Sequence, residues 1–365
     1  MSARRGRARG AHPWAWWGWA IGVATAASLT TNPLLLALLT LGVVAVVLLR
    51  RTDAPWARSL GVYFALAGFI LAIRLFFQVI MGAGIGQTVL FRLPELHLPA
   101  WAAGIRLGGA VTAEALAYSL YDALRLVVML VCLGAANALA NPRRALRSVP
   151  AALYDASVAV VIALSVAPQL IESTQRIRRA RRLRGGARTG WTAVVAVVIP
   201  VIADAVDRSL ALAAGMEARG FGRTKRDGPP PRSLTAALVG GMMLLVLGAF
   251  LLLNSADVVA TAVACLAVGA VAVGLGLRAA GRRQGVTRYR PDPWTARDTG
   301  IVASGFAAAA VVIVVTQLNF AAVHPSTDPL SWPALHPGFL AALAACLAPL
   351  MLAPAPQPVA EGVPA

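Results

Sequence analysis

Residues 149–188 read VPAALYDASVAVVIALSVAPQLIESTQRIRRARRLRGGAR, an apolar run long enough to cross a membrane that ends in a burst of arginine. A crossing along Val149 to Ile171 would carry Arg176, Arg178, Arg179, Arg181, Arg182, Arg184 and Arg188 to the outer surface, opposed only by Glu172. That arrangement conflicts with the excess of Lys and Arg found in cytoplasmic loops. The next apolar stretch, Trp191 to Ala203, meets Asp204, Asp207 and Arg208 after about 13 residues, too few to cross comfortably. The whole of 141–232 is therefore expected on the cytoplasmic side, as long helices apolar along one side.

Outward from this stretch the chain is far more apolar than a soluble domain. Hydrophobic residues make up 58% and charged residues 13% of 365, with a mean hydropathy of +0.71, whereas soluble chains carry about a quarter charged residues. Eight further segments are candidate spans: Trp14 to Leu29, Pro33 to Leu49, Leu60 to Met81, Thr112 to Leu139, Leu234 to Leu253, Val258 to Leu277, Ile301 to Phe320 and Phe339 to Leu352. Some are short of the roughly 20 residues a span needs, so about seven or eight transmembrane helices are expected. The fold class is thus all-α, a polytopic helical membrane protein with long helices on its cytoplasmic side. The first apolar run is followed closely by a second without a clear cleavage site, and reads as an anchor.

The net charge of +18 is carried almost wholly by arginine, Lys225 being the one lysine. These charges sit in short runs between apolar segments, the pattern of cytoplasmic loops and not of a nucleic-acid face. Arg4, Arg5, Arg7 and Arg9 before the first span, and Arg50, Arg51 and Arg58 after the second, place both ends of the first hairpin inside. Gly82 to Gly104, which mixes Gly, Pro and apolar residues, is expected outside or dipping into the bilayer. Arg143, Arg144 and Arg147 mark the return, and Arg278, Arg282, Arg283, Arg288 and Arg290 mark a later one. The expected organisation is a basic cytoplasmic tail (1–13), N-terminal spans (14–140), a cytoplasmic helical region (141–232), C-terminal spans (233–353) and a Pro-rich disordered tail (354–365).

Catalytic constellations are nearly absent, and no catalytic or metal-binding residue is assigned. The phosphate-loop pattern is missing, since Lys225 has no glycine before it, so the chain itself binds no nucleotide through that motif. His12, His97, His324 and His336 lack a paired carboxylate or metal spacing and read as solvated or interfacial. Cys132, Cys265 and Cys346 are far apart and read as small buried hydrophobes. Ionisable groups inside spans are expensive in lipid and need partners. Asp122 and Arg125 can pair three residues apart on one helix face, and Arg74 can pair with Glu114 or Asp122.

Two segments stand out. The first runs from Gln169 to Gly185 and ends Leu183-Arg184-Gly185; the second runs from Asp204 to Phe221 and ends Met216-Glu217-Ala218-Arg219-Gly220-Phe221. Glycine at a helix end can take the left-handed conformation, and arginine in the last turn complements the negative end of the dipole. Two such ends could dock into two similar acidic grooves, arginine being suited to bidentate contact with a carboxylate. They could equally be ordinary positive loops stopped by glycine.

At these residues the chain resembles the transmembrane T component of energy-coupling factor (ECF) transporters, the family also named after the cobalt-transport protein CbiQ. Leu183-Arg184-Gly185 and Ala218-Arg219-Gly220 resemble that family's paired Ala-Arg-Gly motifs, with Leu183 in place of the first alanine. Thr31-Asn32-Pro33-Leu34, Asn141-Pro142-Arg143-Arg144 and Thr287-Arg288-Tyr289-Arg290-Pro291 extend the likeness from about residue 14 to 322, with 234–277 looking like an added hairpin. The resemblance implies a non-catalytic coupling subunit in the bacterial plasma membrane with its N-terminus in the cytoplasm. Its implied partners are two ABC ATPases, or a fused pair, and a small membrane S component that binds a vitamin or metal ion. ATP would be bound by the ATPases, and no cofactor by this chain. Arg184, Gly185, Ala218, Arg219 and Gly220 would meet the ATPases; Glu172, Arg181, Asp204, Asp207 and Glu217 would support the helices that carry them. A stand-alone secondary transporter would call for inverted repeats with interrupted helices, which are not seen. A membrane-bound transferase could draw on Asp204, Asp207 and Glu217, but no paired-Asp metal pattern surrounds them.

Overall fold

A computed structural model describes residues 10–51, 60–82, 86–97, 106–149, 151–183, 191–221, 231–254, 258–283 and 292–354. The helices in chain order are α1 (Pro13–Ser28), α2 (Pro33–Arg50), α3 (Leu60–Met81), α4 (Ala113–Leu139), α5 (Pro142–Arg147), α6 (Tyr154–Leu183), α7 (Trp191–Ala218), α8 (Arg232–Asn254), α9 (Val259–Arg283), α10 (Ala296–Leu318), α11 (Phe320–Val323), α12 (Pro337–Leu347) and α13 (Pro349–Leu352). Between α3 and α4 lie two strands, β1 (Val89–His97) and β2 (Arg106–Thr112). Seven of the described helices are long and apolar enough to cross a membrane. The protein is an all-α polytopic membrane protein, as its sequence leads one to expect. The seven differ from the expected set in detail. At 16 residues α1 is short of a span, as are α12 and α13, while the apolar run of α6 meets the length and composition of one.

Several helix starts follow from one local pattern, a polar residue before proline. Pro13, Pro33 and Pro337 open α1, α2 and α12, where their missing N–H costs nothing. The residues before them, His12, Asn32 and His336, accept hydrogen bonds from the first free backbone N–H groups. Two histidines are therefore caps, and His12, expected at a solvated or interfacial position, is buried. Its backbone N–H donates to Asp298 Oδ1 at 2.7 Å. Thr295 and Asp298 cap α10 reciprocally.

The chain divides into two compact units, Met1–Ala145 with Asp292–Ala365, and Leu146–Pro291. In the first, α1 crosses α10 at a point where both backbones touch. A Cβ on Gly22 would lie 2.4 Å from the Gly305 carbonyl carbon, so only glycine allows this approach. Around it lies a core of Trp16, Trp19, Leu35, Leu39, Val43, Val131, Cys132, Ile301, Phe339 and Cys346. Cys132 and Cys346 are free thiols buried there, as expected of small hydrophobes. At the turn from α1 to α2, Asn32 is fully buried; its amide donates to Ala322 O at 2.7 Å and Ala334 O at 3.1 Å while its oxygen caps α2. The second unit contains α6 to α9, with α8 and α9 packed as a hairpin.

The strands are the feature that the sequence did not announce. Part of the segment Gly82 to Gly104, expected as irregular and external or re-entrant, forms β1, which pairs antiparallel with β2 just beyond it; the pairing slips twice, between Val89 and Phe91 and between Leu93 and Leu96. Glu114, in the first turn of α4, accepts the Thr88 N–H and ties the hairpin to the helix.

Candidate functional site

The expected coupling segments form α6 and α7, helices of 30 and 28 residues. Each carries an internal proline, Pro168 and Pro200, and each is apolar in its first half and charged in its second. The first halves leave Val160, Val161 and Leu164 of α6, and Val194, Val198, Ile199 and Ile202 of α7, exposed. A surface of that kind is suited to lipid or to a partner helix.

The two helices meet at Asp204. Its Oδ2 accepts the Ser173 hydroxyl at 2.6 Å, and the Arg208 guanidinium, one turn further along α7, donates to Oδ1 and Oδ2 at 3.1 and 2.9 Å. Arg176 Nη2 reaches Oδ2 at 3.4 Å, and Arg208 Nη1 lies 3.5 Å from Gln169 Oε1. The Ser173 hydroxyl foremost, then Arg208 and Arg176, holds the Asp204 carboxyl below the ordinary carboxylate value of 3.8. The pairs run in opposite senses, Gln169 with Arg208 and Arg176 with Asp204, so the helices leave the crossing in opposite directions. Leu183 at the end of α6 is about 15 Å along its axis from Ser173, and Ala218 at the end of α7 is about 21 Å from Asp204.

At the far end of α7 the glycine reading holds. Gly220 has φ of 72°, Phe221 N–H donates to Met216 O at 3.0 Å, and Gly220 N–H to Glu217 O at 2.9 Å. This is a Schellman closure, in which the left-handed residue ends the helix and satisfies its last carbonyls. Glu217, Ala218 and Arg219 are exposed on this end. On α6, Glu172 is exposed and Arg181 half-buried, with Nη1 out of contact with solvent and without a hydrogen-bond partner among the described residues. Asp207 is exposed on α7. Arg184 and Gly185 lie outside the described residues. Of the five supporting residues, Asp204 alone sits at the crossing. The sequence reading missed Ser173 as the partner of Asp204 and Gln169 as that of Arg208. The spacing of Asp204 and Arg208 was a visible signal, but nothing marks the serine until the helices are brought together.

A second charged cluster lies between α3 and α4. Arg74 Nη1 donates to Asp122 Oδ2, and Arg125 Nη2 to Asp122 Oδ1, both at 2.6 Å. The two partners left open for Arg74 are thereby resolved, since Glu114 is engaged with Thr88. From within α5, Arg144 binds Asp292, which precedes α10, at 2.6 Å and the Gly10 carbonyl at 3.2 Å, giving the Asn141-Pro142-Arg143-Arg144 motif a structural use. Thr287 to Pro291 lie outside the described residues. No group of three His, Cys, Asp or Glu side chains that could hold a metal ion occurs among the described residues.

Comparison with known proteins gives one family. A family model described as CbiQ, cobalt transport protein, matches residues 12–230, more than half of the chain. The matched region ends just before α8. A search of curated proteins returned no match.

Proposed function

On the premise that the chain belongs to the CbiQ family of cobalt transport proteins, we propose that it is the coupling subunit of an ATP-driven importer. It transmits the closure of two ABC ATPases to a small membrane S component that carries a metal ion or vitamin. The observation that carries this reading is the crossing at Asp204. It holds two long helices so that their described ends, Leu183 and Ala218, depart in opposite senses, the arrangement two separate ATPases require. Arg219, exposed on a rigidly closed helix end, enters an acidic groove on one ATPase, and Arg184 enters that of the other. Arginine forms paired, charge-assisted bonds with a carboxylate there. When ATP draws the ATPases together the two ends move, the helices turn about the Ser173–Asp204 contact, and the exposed apolar first halves shift against the S component.

The long reach from crossing to end supports a lever, and the charges at the crossing, Asp204, Arg208 and Arg176, are engaged with one another. Specificity then belongs to the S component and hydrolysis to the ATPases. The proposed orientation keeps the N-terminus and residues 141–232 in the cytoplasm.

Affinity purification of the chain from its native membrane in mild detergent, with identification of what co-elutes, tests the assignment. Two ABC ATPases or a fused pair, together with a small hydrophobic protein, are expected. Arg219→Glu and Arg184→Glu should leave the chain folded and inserted yet reduce ATPase retention and uptake at least tenfold. Full uptake by both variants would end the proposal.

A further inference from the structure

Asp122 is shared by two arginines, so the Arg74–Asp122–Arg125 cluster carries one net positive charge. Each guanidinium gives it a single bond, and among the described residues neither has another hydrogen-bonded partner. The Arg74 and Arg125 side chains remain 44% and 35% exposed, against 18% for Asp122. Exposed Phe76, Phe77 and Tyr118 surround the cluster in sequence on the same two helices, a setting of lipid and not of open water.

The depth of the cluster follows from the core. Trp19 Nε1 donates to the Cys346 carbonyl, a Cβ on Gly42 would lie 3.1 Å from Cys346 Sγ, and Cys132 is near Cys346. Trp19, Gly42 and Cys132 therefore share one level. Nine residues from Trp19 is Ser28, where α1 ends; nine from Gly42 is Pro33, where α2 begins; and nine back from Cys132 is Ala123. Asp122 and Arg125 thus lie within a turn of the level at which α1 gives way to α2, the turn that the arginines flanking the first hairpin assign to the outer side of the membrane. His324, whose Nδ1 lies 3.3 Å from Thr31 Oγ1 in that turn, points to the same level. Burial first, and then the Arg125 charge, lowers its pKa from the ordinary 6.5.

We propose that Arg74 and Arg125 hold the phosphodiester of an anionic phospholipid at this level. A phosphodiester carries one negative charge, which brings the cluster to neutrality, and its oxygens suit the unused N–H pairs of two guanidinium forks. Headgroup depth and apolar surroundings select a lipid over a carboxylate on a partner helix. The orientation proposed above makes this the outer leaflet; lipid retention itself does not depend on that orientation or on the coupling role.

The test is native mass spectrometry of the purified full chain in detergent, titrated with phosphatidylglycerol, with phosphatidylcholine, or with soluble glycerol phosphate. The wild type should retain one phosphatidylglycerol in preference to phosphatidylcholine and none of the soluble anion. Arg74→Gln, which leaves the neutral Asp122–Arg125 pair intact on α4, should cut that retention at least fivefold. Asp122→Asn frees both guanidiniums and should retain the lipid as well as the wild type or better. Equal retention by the wild type and Arg74→Gln would overturn the site. Loss in Asp122→Asn as complete as in Arg74→Gln would do the same, by reducing the cluster to a structural ion pair. Equal binding of glycerol phosphate would reassign it to a free anion. Unchanged lipid retention in Arg74→Gln with loss of a co-purifying membrane protein would reassign it to a partner.

Discussion

Asn32 concentrates more bonding than any other uncharged side chain of the first unit. Its oxygen caps α2 through Leu34 and Leu35, and its amide binds the carbonyls of Ala322 and Ala334 in a fully buried position. Replacing it with alanine removes the cap and leaves two carbonyls without donors. A loss of about 2–4 kcal/mol follows, read as a fall in the thermal midpoint of Asn32→Ala in detergent, while Asn32→Asp keeps the cap but turns a buried carboxylate oxygen toward the two carbonyls and should lose at least as much. Gly220 was legible in the sequence because its work is local, a glycine after a helix, whereas the reach of Asn32 to Ala322 and Ala334 was not. Ser173 and the partner of Arg74 were not, because each depends on which residue of another helix comes opposite. Both Glu114 and Asp122 were within reach by sequence, and only the engagement of Glu114 with the strand end decides between them.

Among elements, the α8–α9 hairpin shows most directly how composition becomes packing. Gly241 and Gly248 on α8, and Gly269 and Gly276 on α9, recur seven residues apart and let the helices approach to backbone contact. A Cβ on Gly269 would lie 2.8 Å from the Gly241 carbonyl oxygen, and one on Gly248 would lie 2.9 Å from Ala262 O. Gly240 and Gly274, by contrast, face open space. Gly248→Leu or Gly269→Val should therefore destabilise by about 1–3 kcal/mol through overpacking. Gly240→Ala should be neutral or gain up to about 1 kcal/mol from helix propensity. Thermal unfolding of the set, followed by tryptophan fluorescence or retention of monodisperse protein, separates the two kinds of glycine. Six of the seven candidate spans were readable from apolar length alone; α6, set aside for its arginines, was not. The β1–β2 hairpin was not, since its interrupted register, with Pro94 in one strand and Gly108 and Gly109 in the other, breaks the strict alternation that announces a strand.

At the scale of the whole chain, the distribution of arginine and the length of α6 pull in different directions. Length and hydropathy make α6 a candidate span, whereas a crossing would export the arginines of its second half. The proposed orientation gives charge the greater weight, because translocating that cluster would cost more than laying one apolar face against lipid or a partner. Single cysteines at Leu183 and Phe221, in a chain lacking Cys132, Cys265 and Cys346, should resist a membrane-impermeant maleimide in intact cells. Both should react once the membrane is opened. Reaction in intact cells would contradict the proposed orientation.

The unequal distances from the Ser173–Asp204 contact to the two helix ends have a mechanical result. If both arms move as stiff rods, a rotation of about 10° displaces the end of α6 by about 2.6 Å and that of α7 by about 3.7 Å. Two identical strokes applied at the tips would thus turn the helices through different angles. A symmetric motor would be geared into an asymmetric tilt.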